Sequence, residues 1–150
     1  AFMDKLDTLF QTQKELNNFV FEKQKLRAAD GAPLTMERLI ADGKSDEPKK
    51  VSSDTHRWLV NYLTALQDET HELGEELPWK WWSKDELKME NIRMEIIDQL
   101  HFWISLAMAA GLDADGVLKL YLEKNRLNIE RQKRGYSAAQ KKIDGSGLTE

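Results

Sequence analysis

Two acidic pairs, Glu69-x-x-Glu72 and Glu95-x-x-Asp98, interrupt stretches whose other repeat positions are apolar. Residues three apart on a helix lie one turn apart on the same side, so each pair can offer two carboxylates in one direction. If the two helices pack as neighbours, four carboxylates converge in a partly buried place. Bare charge is untenable there, whereas a hard cation with oxygen ligands suits it. Spacing alone does not single these pairs out, because Asp4/Asp7 and Glu72/Glu75 share it. What singles them out is position.

The elements that must present these acids read as helices. The first runs from about Asp4 to Arg27, with Leu6, Leu9, Phe10, Leu16 and Val20 at helical spacing. Residues 28–54 contain Gly31, Pro33, Gly43 and Pro48 and read as a loop, within which Thr35 would cap a short helix carrying Met36, Leu39 and Ile40. The second helix starts at Ser53 or Asp54 as cap and reaches about Leu77, where Pro78 ends it. Its apolar stripe includes Leu59, Tyr62, Leu63, Leu66 and Leu73, and Glu69 falls where the next apolar residue belongs. A dense aromatic turn, Pro78-Trp79-Lys80-Trp81-Trp82, follows. Ser83 is expected to cap a third helix from about Lys84 to Ala110, closed by Gly111, and a fourth runs from Asp113 to about Arg134 before Gly135. No strand signal or internal repeat is evident. The expectation is an all-α protein with four main helices in one domain over residues 1–150, ending in a flexible tail from residue 137.

Each long helix places polar groups where packing alone would want carbon. Gln13 and Asn17 do so on the first, Glu69 and Glu72 on the second, Glu95 and Asp98 on the third, Asn125 and Asn128 on the fourth. An unsatisfied buried amide costs about 1–3 kcal/mol and a charge more, so four such interruptions point to one shared polar cavity. The competing reading is a helix phase shifted by one residue, with the acids facing water. Magnesium prefers carboxylate and water oxygens and leaves positions open for phosphates, so such a cavity suits a triphosphate and an activated water. Basic residues follow in the chain: Lys124, Arg126, Arg131, Lys133, Arg134, Lys141 and Lys142. They read either as neutralising phosphate or as the ordinary cations of a helix C-terminus.

Composition narrows the classes. Hydrophobic residues at 41% and charged ones at 32% describe a soluble helical protein rather than a disordered one. A net charge of −4 argues against a surface for polymeric nucleic acid. The absence of cysteine excludes disulfide and thiol chemistry and, with no secretory signal pattern at the start, suggests a cytoplasmic location. The longest apolar run, Phe102 to Leu112, is too short for a membrane span and reads as a helix in the core or in a subunit interface. His71 and His101 stand beside the acidic pairs, but magnesium has little use for imidazole, so they read as packing or solvent residues. The tryptophans at 79, 81 and 82 read mainly as packing, and Lys80 between them as a candidate phosphate contact.

Four ordered segments carry a family resemblance: Gln13-Lys-Glu-Leu-Asn17; Glu69-Thr-His-Glu72-Leu with Pro78-Trp-Lys-Trp-Trp82; Glu95-Ile-Ile-Asp98-Gln-Leu-His-Phe102; and Lys124-Asn-Arg-Leu-Asn128-Ile-Glu-Arg131 through Gly135-Tyr136. Together they resemble the dimeric all-α dUTPases, part of the all-α nucleoside triphosphate pyrophosphatases that also include MazG-like enzymes. The resemblance implies a four-helix-bundle core assembled as an oligomer, a dimer or, as in compact relatives, a tetramer. It implies hydrolysis of dUTP to dUMP and pyrophosphate, limiting uracil incorporation into DNA, with other nucleotides such as dCTP as the alternative. Two or more magnesium ions would be held by Glu69, Glu72, Glu95 and Asp98, with Glu69 or Glu72 orienting the attacking water. Asn125 would help hold the nucleotide and metal shell, while Gln13, Asn17 and Asn128 would meet base or sugar. Arg131, Tyr136 and one of Lys141 and Lys142 would meet phosphate. The chain departs from larger members in joining its last two helices by Gly111-Leu-Asp alone, where they carry a long insertion.

Two readings of other classes compete. A di-iron carboxylate bundle also gathers acids from helices, but it wants Glu-x-x-His from two of them, and here Glu72 and Asp98 stand in place of histidine. A non-catalytic helical interaction protein would retain the helices without using the acids.

Overall fold

Five helices and no strand form among residues 2–135, the part of the chain that the computed structural model describes. In order they are α1 (Lys5–Lys23), α2 (Met36–Lys44), α3 (Asp54–Glu75), α4 (Met89–Ala109) and α5 (Ala114–Arg134). Two compact units result, one up to Ala114 and one from Asp115 onward, so that α5 makes up nearly all of the described part of the second. The fold class is all-α.

Local sequence explains where most of these helices begin. Asp4 and Asp7 form a reciprocal capping box on α1: the Asp7 N–H donates to Asp4 Oδ1 at 2.8 Å and the Asp4 N–H to Asp7 Oδ2 at 3.2 Å. That acidic pair is thereby accounted for without a metal. Thr35 caps α2 by accepting the Arg38 N–H, and Ser53 caps α3 by accepting the His56 N–H. Asn18 ties α1 to the start of α2, its Oδ1 accepting the Met36 N–H at 2.7 Å.

Three boundaries differ from the sequence expectation. α4 starts at Met89 rather than Lys84. Ser83 spends its hydroxyl on a local turn with Asp85, accepting that residue's N–H and bonding its carboxylate, instead of initiating a helix. α3 ends at Glu75, two residues before Leu77, with its last bonds tightening toward Pro78. α1 stops at Lys23, four residues before Arg27. Its end is a Schellman motif, in which the Leu26 N–H reaches the Phe21 carbonyl and the Lys25 N–H the Glu22 carbonyl. The left-handed position in that motif, usually glycine, is held by Lys25 at φ 53°.

The core of the first unit lies where α2 meets α1, the start of α3 and the C-terminal half of α4. Met36, Leu39 and Ala109 have no exposed surface, and Phe21, Trp58, Ile104 and Met108 are buried around them. The closest approach is backbone to backbone. A Cβ on Gly43 would stand 2.5 Å from the Ala109 carbonyl oxygen, and one on Gly111 would stand 2.5 Å from the Gly43 carbonyl carbon. Gly111 also closes α4 at φ 82°, where a side chain is strained. No described helix is long and apolar enough to cross a membrane.

Two stability outcomes are expected from denaturant titration. Gly43→Ala puts a methyl into immovable backbone and should cost about 3 kcal/mol, the upper part of the overpacking range. Lys25→Gly should stabilise by about 0.5–1 kcal/mol, because the left-handed strain of a lysine exceeds the chain entropy that glycine adds. A neutral Gly43→Ala would show that the glycine contact is looser than described.

Candidate active site

α3 and α4 are the most extensively packed pair of helices, and the acidic pairs face each other across them. Glu69 of α3 and Glu95 and Asp98 of α4 each bring a carboxylate oxygen within 4.8 Å of the others. All three are half-buried, whereas Glu72 is exposed at their edge. One residue beyond Glu69 and Asp98, Thr70 Oγ1 and Gln99 Oε1 hydrogen-bond at 2.9 Å and tie the two helices together at this level. The apolar periodicity of both helices creates this meeting, because the acids occupy core-facing positions of otherwise apolar stripes.

Clustering shows in the proton affinities. Burial, and then the charges of Glu72, Asp98 and Glu95, push the Glu69 carboxyl up from 4.5 to about 7. Glu95 is raised as well, by burial first and then by Glu72, Asp98 and Glu76. Glu69 and Glu95 also each have a buried Oε2 without a hydrogen-bond partner among the described residues. Buried carboxylate oxygens normally have partners. Orphaned, mutually repelling oxygens at this spacing fit a divalent oxygen-loving cation.

Glu69 and Asp98 also line a cavity of about 540 Å³ that runs toward the core. Phe21, Trp58 and Tyr62 form an aromatic wall, with ring centroids 4.9 and 5.4 Å apart. Gln13 and Asn17, both buried, bring amides to the same space, as does His101 its imidazole. These three are joined: His101 Nδ1 bonds Gln13 Oε1, and Gln13 Nε2 donates to Asn17 Oδ1 at 2.8 Å. The Trp58 indole N–H is buried with no partner among the described residues. A flat group with hydrogen-bonding edges, adjoining a polyanion at the acids, suits such a site.

The structure thus brings Gln13 and Asn17 together with Glu69 and Asp98 and sets Glu95 and Glu72 alongside. It places Lys80 elsewhere, in a cleft lined by Glu75, Glu76, Trp79, Lys84 and Lys88, with its Nζ 5.8 Å from the Trp79 ring centre. The turn tryptophans are exposed and stack edge-on, Trp79 and Trp81 each against Trp82. His71 is at the surface, 3.3 Å from Glu75. Asn125, Asn128 and Arg131 lie on α5, where Arg131 Nη1 donates to Asn128 Oδ1 at 3.2 Å. Tyr136, Lys141 and Lys142 lie outside the described residues. Sequence reasoning missed Trp58, though it sits one turn before Tyr62 and three turns before Glu69 on the same face of α3. It also missed Ser105, one turn after His101 and two after Asp98, a lone hydroxyl in an apolar run.

The family model described as dUTPase matches residues 5–116, which span both acidic pairs and the amides of α1. A dCTP pyrophosphatase of Enterobacteria phage LZ5 is 27% identical over 159 aligned positions, covering 89% of this chain and 84% of that protein. A dCTP pyrophosphatase of Enterobacteria phage T4 is 31% identical over 88 positions, covering 59% of this chain and 45% of that protein. No solved structure matches.

The raised Glu69 carboxyl makes a testable sign. Between 4.5 and about 7 the folded chain keeps a proton that the unfolded chain releases. The folded state binds more protons in that window, so this contribution to stability falls as pH rises through it. Thermal melts in a chelator should therefore show wild type losing more stability than Glu69→Gln between about pH 5 and about pH 8. Added magnesium should restore wild type at the higher pH and leave the variant largely unmoved. Identical profiles for the two proteins would contradict the clustering.

Proposed function

We propose, for a chain that belongs to the all-α dUTPase family, hydrolysis of a deoxypyrimidine nucleoside triphosphate to its monophosphate and pyrophosphate. The supporting observation is that Glu69 and Asp98 belong at once to the carboxylate cluster and to the aromatic cavity. A base seated against Phe21, Trp58 and Tyr62 would leave its phosphates at the acids. Glu69, Glu95 and Asp98 would hold magnesium, with Glu72 completing the set from the rim. The bound ions would supply charge neutralisation for the triphosphate and a water acidified for attack.

The chain's own groups do the rest. The α–β phosphoanhydride is broken by water, whose proton passes to Glu72 at the rim of the cluster or to Glu69 within it. Gln13 and Asn17 hold the base by its polar edge, and the apolar wall excludes competing water. For Asn125, Asn128, Arg131, Tyr136 and one of Lys141 and Lys142, the family resemblance implies sugar, metal-shell and phosphate roles. Two substrates stand out: dUTP is the one the family's description carries, and dCTP the one in the names of both relatives. A homodimer suits the apolar side chains left exposed on α1 and α4, among them Leu16, Phe19, Ile96 and Ile97.

A pyrophosphate-release panel tests this. With magnesium, dCTP and dUTP should turn over at least about a hundredfold faster than dATP and dGTP. Asp98→Asn should lower kcat about a hundredfold or more. Glu75→Gln, with the same spacing from Glu72 but set beside His71 at the surface, should change it little. Equal turnover of all nucleotides, or none of any, would sink the reading.

A further inference from the structure

A chain of polar groups leads from the core to the cavity, and its donor and acceptor roles are set from the buried end. Ser105 has no exposed surface, and its hydroxyl lies 2.8 Å from the His101 carbonyl oxygen one turn earlier. A carbonyl only accepts, so the single hydroxyl proton is committed there. The Asn17 side-chain atom 3.0 Å from Ser105 Oγ must then donate, which makes it the amide nitrogen. A second contact agrees, since the same nitrogen lies 3.7 Å from Met36 Sδ, an atom that only accepts. Asn17 Oδ1 therefore takes the Gln13 Nε2 proton, and Gln13 Oε1 is left to accept from His101 Nδ1. His101 carries its proton on Nδ1 and, when neutral, bares a lone pair at Nε2. Reversing the chain would set two oxygens 2.8 Å apart with no proton between them.

The geometry points to Ser105 as a positioning residue for base selection. Through Asn17 and Gln13 it holds His101 as a fixed acceptor on the cavity wall, and so favours a base whose facing edge donates. With the base seated so that its 4-position, not N3, faces His101, that edge is the 4-amino group of cytosine rather than the 4-oxo group of uracil. The inference rests on the pyrimidine triphosphate reading above. The two bases are nearly isosteric, so cavity shape cannot separate them. A uracil oxygen facing the bare nitrogen would put lone pair against lone pair and leave both unpaired. The Trp58 N–H, which is buried without a partner among the described residues, is a donor suited to the 2-oxo group that both bases share, and does not discriminate.

Two measurements decide it. Nitrogen NMR of the imidazoles in the wild-type chain without nucleotide, at about pH 8 where an ordinary histidine is neutral, should show His101 protonated at Nδ1 and bare at Nε2. The opposite tautomer would overturn the inference whatever the enzyme hydrolyses. Kinetically, wild type should favour dCTP over dUTP in kcat/KM, and Ser105→Ala should shrink that preference about tenfold, the effect of one mispaired hydrogen bond. Inhibition by pyrophosphate, which reports the metal and phosphate end, should stay unchanged. A preference for dUTP in wild type, or a ratio that Ser105→Ala does not move, would overturn base selection. No turnover of any nucleotide would remove both the hydrolase reading and base selection, while the spectrum still decides the tautomer. Because the spectrum uses the wild-type chain, it does not depend on the variant folding.

Discussion

Mutual repulsion of carboxylates between α3 and α4 is the constraint around which the first unit is arranged. Glu69, Glu95 and Asp98 meet within a few ångströms, with Glu72 adding its charge from the edge. Left alone, such a cluster would drive the helices apart or take up protons, and the upward push on the Glu69 carboxyl from burial and from Glu72 is in the second direction. A cation relieves both. The fold holds the cluster together without a cation, by the Thr70–Gln99 hydrogen bond beside the acids and by packing farther along α4. α4 is anchored at its C-terminal end, where Gly43 and Gly111 let two backbones touch and Met36, Leu39 and Ala109 exclude water. Keeping strain at one end and packing at the other separates stability from chemistry along one helix.

The polar relay lies between these two ends. His101, Gln13, Asn17 and Ser105 sit where apolar residues would pack well, and each is satisfied by the next. A half-satisfied network would cost more than an apolar core, so the relay has to be complete to be tolerated. Its last members face the cavity that the acids also line. The price of burying amides is thus coupled to recognition, since the same hydrogen bonds that satisfy them set which atoms meet a ligand.

Much of this was legible in the chain. Thr35 and Ser53, expected as caps, both cap helices, because capping is decided within a few residues of backbone. The interruption of apolar stripes by Glu69, Glu95, Asp98, Gln13 and Asn17 located residues that the fold brings together. Ser83 misled because a serine followed by an aspartate two residues on can make a self-contained turn as readily as a helix cap. The end of α1 was hidden because a lysine holds the left-handed position that glycine usually marks. His101 looked dispensable when only metal chemistry was considered, and its bond to Gln13 comes from a helix distant in sequence.

Residue types and their spacing by themselves determined the all-α class, the identity of the acids and the family, since each depends on periodicity or on short ordered motifs. Tertiary structure alone decided which acids converge, with Glu69, Glu95 and Asp98 inside and Glu72 at the rim. It also decided that Trp58 walls the cavity, that Lys80 lines a different cleft, and that Ser105 bonds the Asn17 amide. The division has a physical cause. Helix periodicity says which face a residue takes, but the rotation and depth at which two faces meet depend on contacts such as Gly43 against Gly111, far away in the chain.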